Sequence, residues 1–259
     1  MDFGIAGKRA LVCASSSGLG KACAISLALE GVEVWINGRD TERLEATAVE
    51  INTLTGRRPH TVLADIDTAE GRAAVLTACP DPDILICNSG GPKPGRLEDW
   101  TEAAWSEVVA TKMISPILLI QSVIDGMRER GFGRVVAITS AMVKTPKFPM
   151  ALSTGPRAGL TAFCKALAGE VAKDGVTINC ILPEKVETER LARMTRSLAR
   201  VRELDEADAR AEMLSSIPAG RFGRPGEVGD ACAFLCSDRA GYITGQNLQL
   251  DGGAYSGLI

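Results

Sequence analysis

The sequence has few of the side chains that most often move protons in enzymes. It has one histidine, His60, and two tyrosines, Tyr242 and Tyr255, both near the C-terminus. A lone histidine excludes a site built on paired histidines. It also leaves the eight cysteines without a zinc pattern, because Cys232 and Cys236 are four apart and no second ligand pair follows. Free thiols packed as small hydrophobes are the simpler expectation, and they fit a reducing, cytoplasmic setting. No sign of charge dominates: the net charge is −3, which gives no global pull toward nucleic acid or an anionic membrane. The apolar run 117–120 is far too short to span a bilayer. Residues 1–8 lack a basic stretch followed by an apolar core, so no signal peptide is expected. There is no internal repeat, low-complexity tract or long Pro/Gly/Ser linker.

What is present is a soluble globular composition, 46% hydrophobic and 24% charged, over 259 residues. That length suits one large domain spanning 1–259. Strand-like segments at 9–14, 32–37, 60–64, 84–87, 135–139, 176–181 and 248–250 alternate with helical ones. Asp40 caps a helix whose Leu44, Ala48 and Ile51 share a face, with Gly56 and Pro59 beyond its end. Such alternation predicts an α/β fold of Rossmann type: a doubly wound, mainly parallel seven-stranded sheet with helices on both faces. The charged run 187–211 lacks strand signals and predicts a solvated helical insertion ending near residue 217. Residues 101–130 read as one helix with Pro116 inside it, and 158–173 as another. Pro116 cannot donate to the Lys112 carbonyl, so a kink is expected there, with that carbonyl left for another partner. Packing alone is an equal reason for such a kink.

Residues 13–20, Cys-Ala-Ser-Ser-Ser-Gly-Leu-Gly, join the first strand to the first helix. Small residues here let a pyrophosphate approach the free N–H groups of a helix N-terminus. Alone, two glycines in a βα turn also suit tight packing. Other segments add to the pattern. Asn88-Ser89-Gly90 follows the fourth strand, Asp65 ends the third, and Pro183-Glu184 and Thr188 follow the sixth. Residues 242–253, Tyr-Ile-Thr-Gly-Gln-Asn-Leu-Gln-Leu-Asp-Gly-Gly, close the series.

With these elements the chain resembles the short-chain dehydrogenase/reductase family over essentially its whole length. Within the family it is most similar to the β-ketoacyl carrier-protein reductase type, as a divergent branch. The resemblance implies pyrophosphate contacts at Ser15, Ser17, Gly18 and Leu19, and adenine contacts at Asp65 and Ile66. It implies further cofactor contacts at Asn88, Ser89, Gly90 and Arg157, then at Pro183, Val186 and Thr188. It also implies a homotetramer built on the 101–130 helix, its successor and the last strand. Where NAD-preferring relatives carry an acid, this chain has Gly38 followed by Arg39. Arginine pairs with a 2′-phosphate, so NADP(H) is expected over NAD(H); an exposed arginine opening a helix is the plainer alternative. Ala14 and Glu184 stand where the family has glycines. The first thickens the turn. The second brings a carboxylate near the nicotinamide, or else turns to solvent.

The family's catalytic asparagine, serine, tyrosine and lysine fall on Lys112, Ser140, Ser153 and Arg157. Serine is a poor general acid near neutral pH, and arginine does not usefully exchange a proton. Lys112, Arg157 and Lys144 together suggest an electropositive pocket that steadies an alkoxide or binds a carboxylate or phosphate. A lysine crowded by Arg157 also becomes a candidate acid. Ion pairs to Glu184 or Glu187 are the equally weighted alternative. Three functions follow: an NADP(H)-dependent oxidoreductase with altered acid–base chemistry, a nucleotide-binding pseudoenzyme, or a lyase or isomerase on the same frame. The expected partner is a small-molecule substrate, with anionic ones suiting the basic pocket. Neither nucleic acid, membrane nor metal is expected.

Overall fold

The computed structural model describes residues 2–92 and 94–258. Among these, seven parallel strands form one sheet in the order β3-β2-β1-β4-β5-β6-β7. They are β1 (Arg9–Val12), β2 (Glu33–Gly38), β3 (His60–Leu63), β4 (Ile84–Cys87), β5 (Gly133–Ile138), β6 (Val176–Pro183) and β7 (Asn247–Leu250). The central strands β4 and β5 are buried along their whole length. Strands covered on both faces are mainly apolar, and β4 is so throughout, which is why they were legible in the sequence.

Two layers of helices cover the sheet. On one face α1 (Gly18–Leu29), α2 (Thr41–Thr55) and α9 (Pro225–Cys236) pack with Val12, Ile36, Ile84 and Ile86. On the other, α3 (Ala69–Ala78), α5 (Ser115–Glu129) and α6 (Ala151–Val171) pack with Leu11, Leu85, Cys87 and Val135. The strand order reverses between β1 and β4, which opens a crevice at the C-terminal ends of the strands. All eight cysteines are buried and free.

The 101–130 helix is divided. α4 (Glu102–Val109) passes into a π turn, Ala110–Ile114, and then into α5. The Ser115 N–H reaches back to the Ala110 carbonyl, and Pro116 lies in the first turn of α5. The missing proline N–H is thus met by a wider turn centred on Lys112. The span Glu102–Glu129 is long and apolar enough to cross a membrane by length and composition, unlike the short run singled out from the sequence. Here it lies on the sheet and buries Leu119, Ile120, Val123 and Met127.

α6 begins at Ala151, seven residues before the expected start at 158. Pro156 sits inside the helix and forgoes one hydrogen bond, to Leu152. The expected insertion is two helices, α7 (Glu189–Arg202) and α8 (Glu206–Leu214). They close over a small core of Leu191, Met213, Ile217 and Phe222.

Candidate active site

A cavity of about 820 Å³ occupies the crevice between the strand ends and α7. Its floor is the β1–α1 turn. Ala14 adopts φ +46°, a left-handed conformation that its Cβ disfavours. Its N–H donates to Asn37 Oδ1 at 3.3 Å, and its carbonyl accepts from Asn88 Nδ2 at 3.1 Å. A Cβ on Gly20 would collide with that carbonyl and lie 2.7 Å from Asn88 Nδ2, so the turn, α1 and the 88–90 loop are locked together. Ser17 caps α1 in an extended conformation without a side-chain hydrogen bond, and Gly18 follows at φ +58°. The first N–H groups of α1 therefore face the cavity without a side-chain cap, which fits a pyrophosphate.

Ser17, Gly18 and Leu19 line the cavity. Ser15 corrects the expectation: it is fully buried, and its hydroxyl donates to the Val12 carbonyl at 2.7 Å and accepts from the Asn37 N–H at 2.9 Å. Its own N–H donates to the Asn37 carbonyl at 2.7 Å. Ser15 ties β1 to β2 and has no group left for a phosphate.

At one end of the cavity, Gly38 ends β2 where a Cβ would lie 2.8 Å from Ser16. Arg39 pairs with Asp65 at 3.3 Å; the two side chains are 70% and 38% exposed. Arg43, one turn into α2, lines the same wall and pairs with Glu189 at 3.2 Å. The sequence reading missed Arg43, although its four-residue spacing from Arg39 was a usable signal. Ile66 lines the wall behind Asp65, and its carbonyl accepts from Ser115 Oγ at 2.5 Å. Asn88, Ser89 and Gly90 line the middle. Pro183, Val186 and Thr188 form the facing side, where Thr188 caps α7.

At the other end, Ser140 caps a short turn, Ala141–Val143, and accepts from the Met142 N–H at 3.2 Å. Ser153 and Arg157 lie one turn apart on α6, and Arg157 Nε donates to Ser153 Oγ at 3.2 Å. Arg157 Nη1 donates to the Ile138 and Thr139 carbonyls at 2.9 and 2.8 Å, plugging the end of β5. Its Nη2 makes no hydrogen bond to a described residue. Burial, with Arg190 nearby, lowers the Arg157 guanidinium to about 10. Thr139 Oγ1 is buried in this wall without a partner among the described residues, leaving a polar group for a ligand.

Lys112 is 7% exposed and sits behind the wall rather than on it. Burial lowers its ammonium from 10.5 to about 8; Asp67 opposes the fall, and Arg157 adds to it. Burial likewise raises the Asp67 carboxyl. Lys144 is a second correction. It ends the short turn after Ser140 and extends over the Tyr255 ring, 5.2 Å from its centre, off the cavity wall. Lys147 lines the cavity instead and pairs with Glu184 at 3.2 Å. Glu184 is thus neither turned to solvent nor the partner of Lys112 or Arg157, while Glu187 pairs with Arg210. No cluster of candidate metal ligands occurs among the described residues.

A family model described as enoyl-(acyl carrier protein) reductase matches residues 13–255. The 3-oxoacyl-(acyl-carrier-protein) reductase of Vibrio cholerae is 34% identical over 253 residues, covering 96% of this chain and 98% of that protein. The chain belongs to the short-chain dehydrogenase/reductase family. Its Escherichia coli counterpart in that comparison, also a 3-oxoacyl-(acyl-carrier-protein) reductase, is 33% identical over the same length. L-Sorbose reductase from Gluconobacter frateurii, complexed with NADPH and L-sorbose, superposes with a TM-score of 0.93 at 30% identity, covering all of both chains. An actinorhodin polyketide ketoreductase with NADPH superposes at 0.90 and 29% identity, over 97% of this chain and 98% of that one.

As a short-chain dehydrogenase/reductase, this chain is an NAD(P)-dependent oxidoreductase. Ser140, Ser153 and Arg157 share one wall, with Lys112 behind it. This wall offers hydroxyl hydrogen bonds and fixed positive charge, and no tyrosine lines it among the described residues. The sequence reading also missed Arg190, which reaches the cavity from the first turn of α7.

Proposed function

We propose that this short-chain dehydrogenase/reductase is an NADP(H)-dependent carbonyl reductase of 3-oxoacyl-reductase-like type. The observation that carries the cofactor choice is the corner at the end of β2. Gly38 offers no acid to a ribose 2′-hydroxyl, and Arg39 and Arg43 flank the same wall. The Arg39–Asp65 pair is exposed and worth at most about 1 kcal/mol, so Arg39 can turn to a phosphate at small cost.

The α1 N-terminus, Ser17 and Gly18 would hold the pyrophosphate, Asp65 and Ile66 the adenine, and residues 88–90 with Arg157 the nicotinamide ribose. When bound, the dinucleotide exchanges a hydride with the substrate carbon. The chain's own part is electrostatic. Ser140 Oγ donates to the carbonyl oxygen, and Arg157 supplies fixed positive charge to the oxygen as it becomes an alkoxide. The alkoxide takes its proton from solvent water in the open cavity, while Lys112 adds charge from behind the wall through an ammonium lowered to about 8. Exposed Trp105, Ile114 and Leu118 on α4, the π turn and α5 favour a homotetramer, checked by sedimentation. A cytoplasmic location belongs to the same reading.

The test is titration of NADPH and NADH, repeated with Arg39→Ala. NADPH is expected to bind more tightly, and the variant to lose tenfold to a hundredfold of that affinity, the scale of one charge-assisted pair of about 1.5–3 kcal/mol. Equal affinities in the unaltered protein would refute the cofactor assignment. A pseudoenzyme is the second reading, favoured by Arg157 being tied into the β5 carbonyls where the family has a lysine. It predicts NADPH binding without turnover.

A further inference from the structure

The charged groups on the cavity wall are mostly matched. Arg39 faces Asp65, Arg43 faces Asp40 and Glu189, Arg193 faces Glu189, and Lys147 faces Glu184. Lys185 donates to the Met213 carbonyl and to Ser216 Oγ. Arg157 and Arg190 have no carboxylate partner among the described residues. Arg157 is held by the end of β5. Among the described residues, Arg190 is held only by one long hydrogen bond.

The Arg190 guanidinium lies half-buried over the backbone of Gly91, just beyond the 88–90 loop. A Cβ on Gly91 would collide with Nη1 and stand 2.8 Å from Cζ. Among the described residues its one hydrogen bond is a long one, from Nη2 to the Pro92 carbonyl at 3.5 Å. Burial lowers the Arg190 guanidinium, and nearby Arg193 lowers it further. Withdrawing a guanidinium from water without an anion is unfavourable. A planar group with several free N–H donors, facing a cavity beside a second unpaired arginine, matches a carboxylate or phosphate held by two parallel hydrogen bonds.

We propose that Arg190 is a specificity-determining residue that anchors an anionic group of the substrate, so that the preferred substrates are oxo acids or phosphorylated carbonyl compounds rather than neutral ketones. This rests on the carbonyl-reductase reading above. Gly91 is the complementary feature: it leaves the space that the guanidinium occupies. The same chemistry could be satisfied by a phosphate of the dinucleotide, so the test separates the two sources.

The probes are 2-oxo, 3-oxo and 4-oxo acids of matched chain length, each beside its methyl ester, with NADPH as reductant. The kcat/KM ratio of acid to ester should favour the acid in the unaltered protein. In Arg190→Ala that ratio should fall by about tenfold to a hundredfold, with the change in KM, and Arg190→Lys should recover part of it. The acids should also raise the Tm of the NADP⁺ complex where the esters do not, and Arg190→Ala should remove that difference. This second readout needs no turnover, so it decides the anion claim even if the carbonyl-reductase reading fails. A tenfold or greater rise in the NADPH Kd of Arg190→Ala without substrate would assign the anion to the cofactor and overturn the proposal. An acid-to-ester ratio near one, or no acid-specific shift in Tm across the panel, would overturn it as well.

Discussion

Replacing Lys112 with methionine should make the protein more stable. Lys112 is 7% exposed, lies on the π turn, and makes no hydrogen bond or ion pair with a described residue. A fall in its ammonium from 10.5 to about 8 corresponds, at about 1.4 kcal/mol per pH unit, to a cost on the order of 3 kcal/mol. The sign follows from proton linkage. Below pH 8 both folded and unfolded chains hold the proton, and the folded chain bears the full cost of burying it. Between about 8 and 10.5 the folded chain releases the proton first, so stability rises with pH. Above that range the cost is gone. Methionine removes the charge and keeps a flexible apolar stem of similar length. At neutral pH, Lys112→Met should raise the Tm by roughly 6–12 °C, taking about 2–4 °C per kcal/mol for a chain of this size. The gain should shrink toward zero as the pH climbs past 10. Thermal denaturation of both proteins across that range measures this directly, because other groups titrating there are common to both. Parallel Tm curves would refute the burial argument. Turnover should drop in the same variant, since a charged group kept at this cost next to the site belongs to function rather than to folding.

Two further variants probe the β1–α1 turn and the reacting end of the site. Ala14→Gly relieves a left-handed residue and should add about 0.5–1 kcal/mol of stability, read by denaturant unfolding; no gain would mean that the turn does not strain Ala14. Ser153→Tyr with Arg157→Lys restores the family pair on one face of α6, where Ser153 is 5% exposed and lines the cavity. If the ring fits, turnover on neutral ketones should rise toward the 10²–10⁴-fold that general acid–base catalysis supplies, whereas unchanged turnover in a folded, NADPH-binding variant would place the slow step elsewhere.

The sheet was readable because strands buried on both faces are mainly apolar, and β4 is so throughout. The nucleotide end was readable because its spacing constrains backbone: Gly20 is required by the Ala14 carbonyl beside it. What escaped depends on packing at a distance. The early start of α6 was hidden because Met150 offers no side-chain cap and Pro156 lies inside the helix. Pro116 marked the irregular turn, but a π geometry cannot be told from a simple kink without neighbours such as Ile66, which holds Ser115. Ser15 looked like its neighbours in the turn, and only the β1–β2 pairing turns it inward. Lys144 and Lys147 are three residues apart, and the short turn Ala141–Val143 decides which of them meets the cavity. Arg190 required knowing that α7 folds back over Gly91.

The central claim is that this site, with Ser153 and Arg157 in place of a tyrosine and lysine, still performs hydride exchange with NADPH. A single-turnover experiment tests it most directly. Protein saturated with an equivalent of NADPH is mixed with a 3-oxoacyl thioester, and the near-ultraviolet absorbance of the reduced nicotinamide is followed. The account predicts loss of that absorbance, matched by an equal amount of 3-hydroxyacyl product. Absorbance that stays constant while NADPH remains bound would contradict it.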